Sequence, residues 1–284
     1  MILLLGKTGY IAQEFIKKLQ EKEIDFYAVS RSEVDYTDFQ SIFYYLNANA
    51  KVFNTVINCS GYVGKPNVDA CEKNKEECIK ANVITPKTLS EICSEFMIKF
   101  VHISSGCVYN GYDKAFTEED PPNFSFAQER HSFYSGTKAL AEKLINLNNS
   151  YVCRLRIPFD NINSPRNYIS KLMTYEKLFN AKNSISHKGD FVDACLHLVL
   201  NNCNFGIYNI VNTGEVETKD VCDLLGKYLN INKFKFFETE DEFYNLGALA
   251  PRSNCLLDNS KLLATGFKMR ETKEALESSL RNWQ

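Results

Sequence analysis

Short apolar runs alternate with amphipathic stretches from the first residue onward. Ile2–Leu5 reads as a buried strand, and "YIAQEFIKKLQEK" after it places apolar residues at the three-and-four spacing of a helix. The rhythm repeats. "FYAVS" is a strand, "DFQSIFYYL" a helix, and "TVINCSG" a strand ending in a small-residue turn. "CIKANVITPKTLSEICSEF" reads as one long helix, followed by the strand "KFVHISS", the helix "YSGTKALAEKLINL" and the strand "YVCRLRIP" closed by Pro158. Strands joined by crossover helices imply an α/β chain with a doubly wound parallel sheet.

After Pro158 the pattern turns polar and turn-rich in "FDNINSPRNYISK", then "DFVDACLHLVL" and "GIYNIVN" resume the helix and strand of the sheet. From about Lys233 a short strand "FKFF", the loop "LGALAPRSNCLLDNSKL" and a final helix follow. The expected division is residues 1–158 and 186–230 for the sheet domain. Residues 159–185 and 231–284 form a small second lobe that would bind substrate.

Composition narrows the function classes without naming one. A net charge of −2 gives no general pull toward nucleic acid or anionic membrane, so an anionic ligand must be held by local cations. The N-terminal apolar run ends at Leu5, too short for a signal peptide's core, and no later segment approaches the ~18 apolar residues of a membrane helix. The ten cysteines include no Cys-x-x-Cys and the four histidines no His-x-x-x-His, so no metal site is expected. The expectation is a cytoplasmic protein with reduced thiols.

Three motifs carry chemistry. "GKTGYIA" sets Gly6, Gly9 and Ala12 between the first strand and the first helix, where a dinucleotide's pyrophosphate meets free N–H groups at a helix start. This makes the sheet Rossmann-type. The second strand ends in "AVSRS" with no acid for a ribose 2′-hydroxyl; Ser30 and the forked donors of Arg31 suit the 2′-phosphate of NADP(H). Tyr134 and Lys138 in "YSGTK" share one helix face. An ammonium beside a phenol, ordinarily near pKa ~10, is expected to lower it and let it protonate a carbonyl oxygen as hydride arrives.

Together with "NCSG" (Asn58–Gly61) and Ser105, these motifs resemble the extended short-chain dehydrogenase/reductases, in order and over nearly the whole chain. "GKPNVDACE", "SSGCVY", "SPRNYISK" and "APRSNCLLDNSKL" resemble a narrower group, the bifunctional UDP-4-keto-6-deoxy-D-glucose 3,5-epimerase/4-reductases that make UDP-L-rhamnose in plants and giant viruses. The resemblance implies cofactor contacts from Gly6, Thr8, Gly9, Tyr10, Ile11, Ala12, Ser30, Arg31, Asn58, Cys59, Ser60, Gly61 and Asn82, with Lys138 also gripping the nicotinamide ribose. It implies substrate contacts from Lys65, Asn67, Arg166, Asn167, Arg252 and Ser253. A homodimer is expected, fed by a separate 4,6-dehydratase.

The resemblance also gives Cys107 a role. A C4 ketone polarised by Ser105 and Tyr134 accepts hydride, and the same polarisation acidifies the hydrogens on C3 and C5, because the enolate's charge lands on the same oxygen. Epimerisation then needs a base and an acid, which the resemblance assigns to Cys107 and Lys171 without saying which is which. Two rivals stand beside this reading: a reductase acting on an already epimerised UDP or dTDP sugar, with Cys107 as core filler, and a non-catalytic NADP-binding regulatory subunit.

Overall fold

The computed structural model describes residues 1–65 and 67–284; Pro66, within the "GKPNVDACE" motif, lies outside the described residues. Six parallel strands form the central sheet: β1 (Ile2–Leu5), β2 (Phe26–Val29), β3 (Thr55–Asn58), β4 (Lys99–Ser105), β5 (Ser150–Leu155) and β6 (Gly206–Asn209). Their spatial order is β6-β5-β4-β3-β1-β2. The chain winds one way from β1 to β2 and the other way from β3 onward, so a crevice opens at the strand ends beside β1 and β3. Leu5 is level with both Val29 and Asn58, so the loops after these strands meet at one edge.

The period of two assigns the core. Ile2 and Leu4 face one layer, with Phe15 and Leu19 of α1 (Tyr10–Glu21) and Phe191 and Leu198 of a later helix. Leu3 and Leu5 face the other, with Ile42 and Leu46 of α2 (Phe39–Ala48) and Leu89, Ile92 and Cys93 of α3 (Thr85–Glu95). This is the doubly wound α/β sheet that the alternation predicts.

The single long helix expected from Cys78 to Phe96 is interrupted. Lys75–Ile79 is α-helical, Lys80–Ile84 widens into a π turn, and α3 resumes with Pro86 in its first turn. Proline has no N–H to give the carbonyl four residues back, that of Asn82, so the tighter register fails there.

The remaining major helices are α4 (Phe133–Leu144), α5 (Tyr168–Thr174), α6 (Lys188–Leu200), α7 (Thr218–Leu229) and α8 (Thr272–Arg281). A third core gathers Phe159, Ile169 and Leu172 with Val221 and Leu225 of α7 and Leu276 and Leu280 of α8. Helix α7, which falls within 186–230, therefore packs with the second-lobe elements. The strand expected at "FKFF" is only a bridge from Phe236 to Leu178, because residues 177–179 offer no extended partner. Instead, Cys255–Leu257, inside an expected loop, pairs in parallel with Gly111–Phe116.

Candidate active site

The glycine loop fits a dinucleotide. Gly6 has φ +84, and a Cβ there would stand 3.1 Å from the Ser60 backbone nitrogen, so the β1 and β3 loops touch only because no side chain intervenes. Gly9 begins α1 and no side chain caps that helix, which leaves its first-turn N–H groups for an anion. Thr8 is exposed, Tyr10 and Ile11 are half-buried, and Ala12 packs into the core.

At the end of β2 the structure adds a residue that the sequence reading did not name. An acid does stand there, brought back by a turn. Glu33 accepts from the Ser30 N–H at 2.8 Å, from Ser30 Oγ at 2.7 Å and from Lys7 Nζ at 2.5 Å. The Lys7 bond and the two from Ser30 hold its carboxyl down at about 2. Ser30 is thus engaged with a carboxylate, and Arg31 reaches outward to Glu77 at 3.4 Å.

The β3 loop is held from inside. Buried Asn58 accepts from the Ser60 N–H at 3.0 Å, and burial pushes the Cys59 thiol up. Asn82, carried inward by the π turn, accepts from the Tyr62 N–H at 2.7 Å and donates to Tyr62 O at 2.8 Å and Thr137 Oγ1 at 3.2 Å. A Cβ on Gly61 would lie 3.1 Å from Asn82 Oδ1 and 3.9 Å from Lys138 Nζ. The loop therefore lies close over the lysine.

Beneath it, Ser105 ends β4 and caps a single 3-10 turn, Gly106–Val108, accepting from the Cys107 N–H at 3.3 Å. Ser132 and Ser135 form a capping box that starts α4, which carries Tyr134 and Lys138. Lys138 donates to the Ile103 carbonyl at 3.1 Å. One helix and one strand end thus bring Ser105, Cys107, Tyr134 and Lys138 together.

Their protonation differs from expectation. Burial pushes the Tyr134 phenol well above its usual value, Cys107 and Cys71 add to this, and the hydrogen bond to Ser105 works against it. Burial, in turn, lowers the Lys138 ammonium. The phenol is not depressed by its lysine; it keeps its proton. Burial likewise pushes Cys107 up to about 11, against the pull of Ser105, Arg156 and Lys138.

A second group of cations gathers where α5, the loop before it and the loop before Cys255 meet. Lys171 is lowered by burial and then by Arg166 and Arg252. Arg166 donates to Gly64 O at 3.2 Å, and Arg252 forms a fork with Asp69 at 2.7 and 2.9 Å. Asp69, in the "NVDACE" motif, was not among the expected site residues. It holds Arg252 in place, and it also accepts from the Ala250 N–H at 2.8 Å.

Three expected substrate contacts are committed elsewhere. Asn167 is fully buried, accepts from the Ile169 N–H at 3.0 Å as the cap of α5, and donates to Asp160 Oδ1 at 2.7 Å and Ile162 O at 2.8 Å. Ser253 donates to Tyr109 O and accepts from Arg156 at 3.1 Å. Asn67 accepts from the Asp69 N–H at 2.9 Å. Each places a backbone segment, and Asn167 has no surface left for a ligand. Lys65 is exposed.

The model of the RmlD substrate binding domain matches residues 1–284, end to end. The chain belongs to this family. It is 33% identical over 285 residues to a bifunctional dTDP-4-dehydrorhamnose 3,5-epimerase/dTDP-4-dehydrorhamnose reductase of Arabidopsis thaliana, covering 96% of this chain and 90% of that protein. It is 32% identical to a trifunctional UDP-glucose 4,6-dehydratase/UDP-4-keto-6-deoxy-D-glucose 3,5-epimerase/UDP-4-keto-L-rhamnose-reductase of the same plant, of whose length it spans 40%. Among solved structures, a UDP-rhamnose synthase of Acanthamoeba polyphaga mimivirus superposes with a TM-score of 0.89 over 99% of this chain and 98% of its own, at 22% identity. That last likeness shows the fold. No helix among the described residues is long and apolar enough to cross a membrane, and those residues contain no cluster of metal-ligating side chains.

Proposed function

We propose that the protein converts UDP-4-keto-6-deoxy-D-glucose to UDP-L-rhamnose by 3,5-epimerisation followed by 4-reduction, with NADPH as cofactor. The observation that carries this is Cys107 on the turn capped by Ser105, beside Tyr134 and Lys138. One oxyanion site thereby serves two reactions. NADPH, bound at the glycine loop, supplies the hydride. Ser105 and Tyr134 orient the C4 carbonyl, and the protonated phenol gives its proton to O4 as charge develops there. Epimerisation comes first, because only the ketone acidifies C3 and C5.

The directions in which burial and charge move these groups divide the acid–base work. Lys171, crowded by Arg166 and Arg252, gives up its proton easily and is the base. Cys107, kept protonated by burial, is the acid on the other face. Arg166 and Arg252 would hold the diphosphate, and the lobe around α5 and α8 would carry the nucleotide sugar. The 4-keto substrate would come from a 4,6-dehydratase. The raised Cys107 also suits a second reading, reduction alone, in which the thiol is filler.

Proton NMR in D₂O with UDP- and dTDP-4-keto-6-deoxyglucose separates the two. Rhamnose carrying deuterium at C3 and C5 is the expected product; a reduced sugar with ordinary hydrogen at both carbons leaves reduction alone. Cys107→Ala is expected to slow turnover of the unepimerised substrate by ~10²-fold or more while reduction of the epimerised sugar stays near wild type.

A further inference from the structure

Arg156 is a cation without a counter-ion. It follows β5 directly and is 3% exposed, and among the described residues no carboxylate pairs with it. Its guanidinium is held entirely by neutral oxygens: Asn183 Oδ1, Ser253 Oγ at 3.1 Å and Ser253 O at 2.9 Å. Its Nε, also buried, has no partner. The neighbouring Arg154, by contrast, is neutralised by Glu142 at 2.7 Å. A buried charge left unpaired is expensive, so a fold that keeps one usually has an anion to meet it at some stage.

The side chain lies along the turn that carries Cys107. A Cβ on Gly106 would stand 3.4 Å from Arg156 Cδ and 3.5 Å from its Cβ, and the Ser253 hydroxyl it grips donates in turn to Tyr109 O on the far side of the turn. Arg156 therefore braces the turn at both ends. The other charged or titratable groups that bear on Cys107 are Lys138, Tyr134, Glu142 and Cys71. Glu142 opposes a thiolate, but it is bound to Arg154; Lys138 is engaged with Ile103 O.

We propose that Arg156 is a positioning residue of the epimerisation, meeting as its counter-ion the Cys107 thiolate formed whenever that thiol gives its proton to the sugar. This rests on the bifunctional reading above. In each inversion the C–H bond on one face breaks toward Lys171 Nζ, and the electron pair moves onto O4. The S–H bond of Cys107 then breaks as a new C–H bond forms on the opposite face. A thiolate and an ammonium remain until solvent restores both. A neutral surround would make that thiolate too costly and the second inversion slow.

The test is carbamidomethylation of Cys107 by iodoacetamide, read on its own peptide by mass spectrometry at about pH 8.5, in wild type, Arg156→Gln and Arg156→Lys. Cys107 is half-buried, whereas seven of the ten cysteines are buried, and its peptide is read separately from those of Cys59 and Cys203. A thiol whose pKa rises by about one loses about tenfold of its thiolate and regains roughly threefold in nucleophilicity, a net fall of about threefold. The expected result is a fall of at least about threefold in Arg156→Gln and little change in Arg156→Lys, which keeps the charge. Deuterium entry at C3 and C5 should fall with it, while reduction of the epimerised sugar holds. Equal rates in all three proteins, or an equal fall in both variants, would overturn the proposal and leave Arg156 a brace. If Arg156→Gln does not fold, Arg156→Met takes its place as the uncharged variant: a fall of at least about threefold there, with reactivity held in Arg156→Lys, supports the charge, and equal rates in the two sink it. Alkylation needs no sugar, so an enzyme that reduces without epimerising would sink the bifunctional reading independently.

Discussion

Burial acts on the acid–base residues in opposite directions because a thiol and a phenol are neutral when protonated, whereas an ammonium is not. Cys107 and Tyr134 are raised and Lys171 is lowered, so burial leaves the thiol and the phenol with their protons and eases the proton off the ammonium. For Lys171 the nearby arginines add to burial, which makes the effect removable. Arg252→Ala takes away one repulsive charge and leaves Asp69 without its fork. Both changes raise Lys171 toward its ordinary value, so less neutral amine is present near neutrality. Under the proposed epimerisation, the rising limb of the pH profile of deuterium entry at C3 and C5 is expected to move upward, and the rate near pH ~7 to fall about tenfold for each pH unit the limb moves. An unmoved limb would show that Lys171 is not the base.

Among the elements, α4 matters most, since it carries Tyr134 and Lys138 and must be locked to the sheet. The lock is Glu142, which accepts from Ser104 Oγ at 2.6 Å on β4 and from Arg154 Nη2 at 2.7 Å on β5. Arg154 continues to Tyr109 OH at 3.0 Å and Asn209 Oδ1 at 3.3 Å on β6. The network spans three strands, and the ion pair is almost wholly buried. Glu142→Ala is expected to cost roughly 3–5 kcal/mol, since it strands a buried guanidinium; urea unfolding checks this. Ser105 adjoins Ser104, so reduction is expected to weaken in the folded fraction as well.

On the scale of the whole molecule, the C-terminal segment is tied back to the sheet domain through α6. Arg270 bonds Asp190 at 2.8 and 3.0 Å, and Asn212 Nδ2 gives it a further bond at 2.7 Å. Burial alone would raise the Asp190 carboxyl, but His187, Arg270 and Asn212 bring it down to about 2. A folded pKa below the ordinary value means that the contribution is complete above pH ~4 and is lost as pH falls through about 2. The stake is about 2 kcal/mol. The melting temperature of wild type is therefore expected to drop more steeply over that window than that of Asp190→Asn, and parallel curves would refute the assignment.

The chain by itself determined the repeating elements of the sheet domain. Strands two-periodic in Leu3 and Leu5 against Ile2 and Leu4, helices of period 3.6 and a glycine loop between them are local facts, each decided within a few residues. Tyr134 and Lys138 share a helix face for the same reason. Tertiary structure alone decided the partners of the charges. Arg252 meets Asp69 across 183 positions and Arg156 meets Ser253 across 97; Glu33 returns to Ser30 through a turn that strand ends do not announce. The parallel pairing of Gly111–Phe116 with Cys255–Leu257 was hidden for the same reason, since neither edge carries a signal of its distant mate. Protonation belongs to the same class. Whether Cys107 holds its proton depends on how much water the folded chain removes from it, and no spacing in the sequence encodes that.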